Sequence, residues 1–363
     1  MILRSRVSAA LAVLAGLLPI AAGVPAVAGP VLLLEADTGR VLYAEDADHQ
    51  WYPASLTKIM TAYLAFEDIK AGRLKLTDSV TVSELALAQP PSKLGLPVGA
   101  EISVDAALRV LIVKSANDVA VMLAEKMAGN VEAFAERMNA TAQRIGMSRT
   151  RFVNPNGLPA PEQVTTARDL ATLSRAALKD FPEHHDMWTL AEVRVGNIRL
   201  RSHNRLLKSY PGADGIKTGF ICDSGFNVVA SANRDGRRLV AVVLGEPSGK
   251  ERNERAAALL EHGFATADWK AMLGAPTLDK LPVDASAKPV ASVRTTVTAW
   301  NCNGRASGRK VARRPAKGKA TQAPGRQAVK AEQSERAKAG PPQGADGAAG
   351  ARKPTPRAAA KKE

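Results

Sequence analysis

The chain has 363 residues, 45% of them hydrophobic, and a formal net charge of +15; this length allows about two domains and is ample for a full core. The charge sits at the ends. Residues 305–363 hold 16 Lys/Arg against 4 Asp/Glu, and Arg4 and Arg6 add two, so residues 29–304 are left near +1. The body is therefore close to neutral and the basic character belongs to the tail.

In chain order, the first segment reads as a secretory leader. Arg4 and Arg6 precede an apolar run over 7–20, and Ala26-Val27-Ala28 supplies a small-x-small cleavage site. The run is shorter than the roughly 20 residues of a spanning helix. The expectation is removal of 1–28 and a mature protein outside the cytoplasm, in the periplasm or cell envelope.

Residues 31–35 and 40–44 are short apolar runs around Asp37-Thr38-Gly39, the pattern of a β-hairpin. Helical periodicity follows over 55–69, with Ile59, Tyr63, Leu64 and Phe66 as core candidates, and again over 105–113, 118–127 and 131–145. The run 154–159 (Asn-Pro-Asn-Gly-Leu-Pro) reads as a loop, and 166–178 as a helix capped by Thr166. The second half changes period. Residues 193–200, 215–221, 226–233 and 238–244 read as strands, with tight turns at Asp223-Ser224-Gly225 and Asp235-Gly236 between the last three. Connections that short exclude parallel crossovers, so these strands form an antiparallel meander. A helix over 251–263 closes the domain.

The expected fold class is mixed α/β (α+β): an antiparallel sheet flanked by helices on both faces. The expected organisation is a leader (1–28), a catalytic domain (29–265), a short extension (266–304) and a basic tail (305–363). The tail lacks aromatic residues and is too polar to bury a core, so it reads as disordered. Cys222 and Cys302 have no metal-ligand spacing. One disulfide, which would pin the extension to the catalytic domain, and two separate thiols are both open.

Three short motifs occur in order: Ser55-Leu56-Thr57-Lys58, Ser115-Ala116-Asn117 and Lys217-Thr218-Gly219. Alone, the first two carry little weight, and S-x-x-K recurs at Ser307–Lys310 in the tail. Context separates the copies. Ser55 and Lys58 open an amphipathic helix, where a three-residue spacing puts both on one face and the free N–H groups favour a developing oxyanion. Lys217-Thr218-Gly219 lies on a strand, and Gly219, having no side chain, leaves room for a substrate backbone alongside.

The ordered triple resembles that of penicillin-binding proteins and serine β-lactamases. The wider runs at 52–63 and 214–220 resemble the D-alanyl-D-alanine carboxypeptidase branch, and the likeness covers roughly residues 30–265. It implies that Ser55 attacks the carbonyl of the penultimate D-alanine, with Lys58 as its base and Ser115 relaying a proton to the leaving amine. Asn117 would bind the substrate amide, and Lys217 and Thr218 the terminal carboxylate. The N–H groups of Ser55 and Phe220 would form the oxyanion hole. Arg252 falls where related enzymes place a substrate-orienting arginine. The implied partners are peptidoglycan stem peptides and β-lactams as covalent inhibitors, with no cofactor.

Two departures stand out. Residues 266–304 are too few for the β-rich second domain of many members, and the tail has no apolar face to insert into a membrane. The tail is instead expected to meet anionic envelope polymers or lipid surfaces; the leader takes it away from nucleic acid. No Glu-x-x-Leu-Asn run supports a class A β-lactamase. A D,D-endopeptidase, or a wall-binding protein with little turnover, uses the same motifs. His49, His184, His185, His203 and His262 show no metal spacing, and the adjacent His184 and His185 read as surface residues.

Overall fold

In the computed structural model, which describes residues 29–299 and Cys302, β1 (Val31–Glu35) and β2 (Val41–Glu45) form the expected hairpin. Gly39 turns it at φ +72°, a value that suits glycine. The leader and the basic tail lie outside the described residues. A 3-10 turn, Ala54–Thr57, leads into α1 (Lys58–Lys70). Next come β3 (Ser79–Thr81), α2 (Glu84–Ala88) and β4 (Glu101–Ser103), then α3 (Val104–Val113), α4 (Asn117–Ala128), α5 (Val131–Arg144) and α6 (Ala167–Asp180). Thr166 caps α6 as expected, its hydroxyl accepting from the Asp169 amide at 3.0 Å.

The expected strand over 193–200 is two strands. After α7 (His185–Trp188), β5 (Glu192–Val195) and β6 (Ile198–Arg201) pair as a separate hairpin, turned at Gly196 (φ +53°). A single glycine inside an alternating run was the turn. Past α8 (Leu206–Ser209), the meander is as expected: β7 (Ala213–Ile221), β8 (Gly225–Arg234) and β9 (Arg237–Glu246). Asp235 and Gly236 both have positive φ, the twist-matched geometry of a two-residue hairpin. The last helix, α9 (Gly249–Met272), runs past the expected end at 263, so residue 265 lies inside a helix.

The five-stranded sheet has the order β2-β1-β9-β8-β7, with every pair antiparallel. Strand alternation divides the core. Leu32, Leu34, Val229, Val240 and Val242 pack under α6 in one core shared with α1, α3 and α4, whereas Leu33, Val228, Ala241 and Val243 face α9 through Ala256, Leu259 and Leu260. Gly263 allows close contact there, since a Cβ would meet Leu239 at 2.7 Å and Leu33 at 2.8 Å. Each fully buried Leu or Val contributes about 1.5–3 kcal/mol. His184 is buried, stacked on Phe66 at 4.5 Å, and His185 contacts Arg238 and Asp214; neither is the surface residue expected. Phe66 buries His184, and Arg238 and Asp214 on the sheet hold the half-buried His185, contacts with distant segments that adjacency in sequence does not reveal.

Residues 273–299 have no regular secondary structure, yet they are tied down along the domain. Val41 donates to Pro276 and Leu278 to Gly39, and buried Arg168 grips Asp48 and the carbonyls of Leu278, Leu281 and Pro282. Farther on, Val293 donates to the Asp223 carbonyl, and Cys302 is disulfide-bonded to Cys222. Among the described residues, no helix is long and apolar enough to cross a membrane.

Candidate active site

Three elements converge on one cleft of about 770 Å³. Ser55 stands in the 3-10 turn and Lys58 is the first residue of α1. A 3-10 turn eclipses residues i and i+3, and Lys58 Nζ reaches Ser55 Oγ at 3.1 Å. Ser55 is not a helix cap, since Pro53 and Thr57 hold the cap positions, and Lys58 is only 1% exposed.

Lys58 Nζ also meets Asn117 Oδ1 at 2.8 Å and the Asn156 carbonyl. Burial, and then the charge of Lys217, push the Lys58 pKa well below its ordinary value, with Asp118 opposing. A neutral amine has two N–H bonds and one lone pair. Two carbonyl oxygens can only accept, so they take the N–H bonds and leave the lone pair for the Ser55 hydroxyl. That is the geometry of a general base.

Ser115 stands beside Lys217. Its Oγ accepts from Lys217 Nζ at 2.8 Å, and its backbone is left-handed, at φ +59°. Ala54, beside Ser55, is also left-handed at φ +48°. Non-glycine residues adopt this region at a cost of roughly 1–3 kcal/mol, and only where the surroundings enforce it. Asn117 fixes the Ser115 loop. Its amide donates to Ser92 at 2.7 Å and its side chain to Pro90 at 2.9 Å, while Asp118 accepts from Leu94 and Gly95.

Lys217 is 2% exposed, and burial followed by the charge of Arg252 lowers its pKa to about 7. Its ammonium bonds Ser115 and the Thr218 carbonyl, so it sits behind the cleft wall that Thr218 and Arg252 line. Arg252, on the first turn of α9, is buried and held by Asn253 at 2.8 Å; among the described residues it has no carboxylate partner.

β7 is an edge strand, so one row of its backbone groups faces the cleft. Gly219 lines the cleft and also backs onto the Ser55 turn. A Cβ there would lie 2.9 Å from the Pro53 carbonyl and 3.1 Å from the Ser55 amide, so its missing side chain admits the Ser55 turn. Asn227 on β8 adds a tie, donating to the Tyr52 carbonyl at 3.0 Å. These contacts bind the Ser55 turn to β7 and β8, and Ser55 and Phe220 both line the cleft.

The sequence reading missed the loop at 154–158 as a part of the site. Asn156 is 2% exposed and supplies the carbonyl on Lys58, and Thr61 and Gln163 pin the neighbouring residues. Gly157, at φ +82°, packs where a Cβ would overlap the Ala54 carbonyl at 1.8 Å. Its signal was an Asn-Gly pair between two prolines, which marks a loop and says nothing of what the loop touches. His203 and Arg205, exposed at the rim, were also missed.

A serine bonded to a buried lysine, on an antiparallel sheet with helices on both faces, defines the serine DD-peptidase and β-lactamase class of fold. Within it, the chain belongs to the D-alanyl-D-alanine carboxypeptidase family, whose model matches residues 21–248. The D-alanyl-D-alanine carboxypeptidase DacC of Escherichia coli is 39% identical over 240 residues, covering 64% of this chain and 60% of that protein. The chain thus spans about three fifths of the length of the curated relatives it matches. Penicillin-binding protein 5 of Haemophilus influenzae superposes with a TM-score of 0.64 at 37% identity, over 66% of this chain and 71% of that one. Penicillin-binding protein D2 of Listeria monocytogenes, in its ampicillin-bound form, gives 0.58 at 30% identity, over 65% and 97%. Arg252 and the tied-down segment at 273–299 lie beyond the span of the family match.

Proposed function

We propose that this protein is an exported serine D-alanyl-D-alanine carboxypeptidase that removes the terminal D-alanine from peptidoglycan stem peptides. The observation that carries the reading is Lys58 Nζ, buried, 3.1 Å from Ser55 Oγ and facing two carbonyl acceptors. Ser55 Oγ attacks the carbonyl of the penultimate D-alanine and gives its proton to Lys58. The amides of Ser55 and Phe220 stabilise the oxyanion. The C–N bond then breaks, and the leaving amine takes a proton through Ser115. Water hydrolyses the ester and restores Ser55.

Thr218 and Arg252 hold the terminal carboxylate, with Lys217 behind them, and Asn117 bonds the substrate amide. The substrate backbone adds to the edge of β7 as a further strand. A β-lactam places its strained amide at the same point, and its opened fragment stays tethered and keeps water out. The leader at 1–28 supports export to the periplasm or cell envelope, and the tail supports attraction to anionic envelope polymers.

Labelled penicillin and mass spectrometry test the assignment. Ser55→Ala abolishes the covalent adduct, whereas Ser307→Ala, at the second S-x-x-K, leaves it intact. An adduct that survives Ser55→Ala, or wild-type protein without turnover of a diacyl-D-alanyl-D-alanine peptide, overturns the proposal.

A further inference from the structure

We infer that the segment ending at Cys302 is a strap that positions two walls of the cleft from outside, with Cys222, Asp223, Arg294 and Thr298 as its positioning residues. This rests on the acyl-transfer reading above.

The strap grips two places. The first is the turn between β7 and β8. Cys222 is bonded to Cys302, Ser292 Oγ donates to Asp223 Oδ1 at 2.6 Å, Arg294 holds both carboxylate oxygens of Asp223 at 3.1 and 2.6 Å, and the Val293 amide reaches the Asp223 carbonyl at 3.0 Å. The second is the connection from β9 to α9, where Thr298 donates to the Pro247 carbonyl from its amide at 3.1 Å and its hydroxyl at 3.0 Å. Both places are joined directly to cleft walls. Phe220 and Ile221 precede the first and Phe226 follows it, and Gly249 and Arg252 follow the second.

Within the body, the turn has other ties, from Ser224 Oγ to Gly225 and from Trp51 Nε1 to Ser224, but these leave Cys222 and Asp223 to the strap. The ion pair is half-exposed, so by itself it adds little to stability. The value of the arrangement lies in geometry. A clamp spanning the oxyanion strand and the base of the arginine helix sets their separation, and displacement of about 1 Å can cost about a hundredfold in rate.

The test compares full-length wild type, the Cys222→Ser/Cys302→Ser double variant, Arg294→Ala and Arg294→Lys. Each is assayed for penicillin acylation rate, for kcat and KM on a diacyl-D-alanyl-D-alanine peptide, and for thermal unfolding. Assays run well below each unfolding midpoint, so that folded protein is compared. The double variant and Arg294→Ala lose about tenfold in acylation rate and kcat, with KM changed less than threefold, because the turn bears on the oxyanion amide more than on Arg252. Arg294→Lys recovers most of the rate. A wild type that acylates alongside variants that melt lower but acylate at its rate overturns the strap alone. A wild type that forms no adduct overturns the acyl-transfer reading and the strap with it.

Discussion

Lys58 and Lys217 share a buried pocket with Arg252 close by, and three cations cannot all keep their protons at ordinary values there. Burial and Lys217 depress Lys58, and burial and Arg252 bring Lys217 to about 7. In the free protein, kcat/KM therefore falls on the alkaline side as Lys217 loses its proton near pH 7. Its acid limb, set by protonation of Lys58, lies far below the 10.5 of an ordinary lysine. A bound carboxylate favours the charged form of Lys217, so the alkaline limb of kcat lies higher than that of kcat/KM. Arg252→Ala lowers the rate and, by removing the neighbouring cation, moves the alkaline limb of kcat/KM to higher pH. Profiles in which that limb stays in place would show that Lys217 is not the group observed.

At the level of elements, the site depends on three backbones meeting where side chains are absent. The 3-10 turn of Ser55 lies between β7 at Gly219 and the 154–158 loop at Gly157. Gly157 faces the harder constraint, because it combines positive φ with an overlap against backbone, which cannot swing away as a side chain can. Gly157→Ala pushes the loop off the turn and carries the Asn156 carbonyl away from Lys58. The expected result is a loss of at least about tenfold in penicillin acylation rate. Gly72→Ala is the control, since that glycine also has positive φ but has nothing within 4 Å of its missing Cβ. Equal effects at the two positions would point to backbone strain alone.

For the whole molecule, the near-neutral body and the +12 tail predict that catalysis and attraction can be separated. A polycation of this charge is expected to draw anionic polymers at long range and without specificity. Truncation after Gly304 leaves the strap and its disulfide in place. It abolishes binding to anionic wall polymer or lipid at low salt and keeps kcat/KM on a small soluble peptide within about twofold, since a catalytic contribution of about 1.4 kcal/mol would already be tenfold. In the intact protein that binding weakens steeply toward physiological salt, where screening shortens to about 8 Å. A tenfold loss on the free peptide would show instead that the tail helps to build the cleft.

The sequence by itself determined the sheet, most of its helices and the three motifs, because these follow from short-range rules. Short apolar runs bounded by turn residues mark β7, β8 and β9, helical periodicity marks α1 and α3 to α6, and the motif residues sit beside such elements. It left open whether Cys222 and Cys302 are joined, since a pairing across 80 residues has no local signature. Only the tertiary structure placed the Asn156 carbonyl on Lys58, turned Lys217 inward to Ser115 and revealed Gly219 as the seat of the Ser55 turn. It also laid residues 273–299 along the domain through Arg168 and Asp223. These are contacts of backbone carbonyls, absent side chains and irregular chain, which carry no period in sequence and exist only once distant segments have packed together.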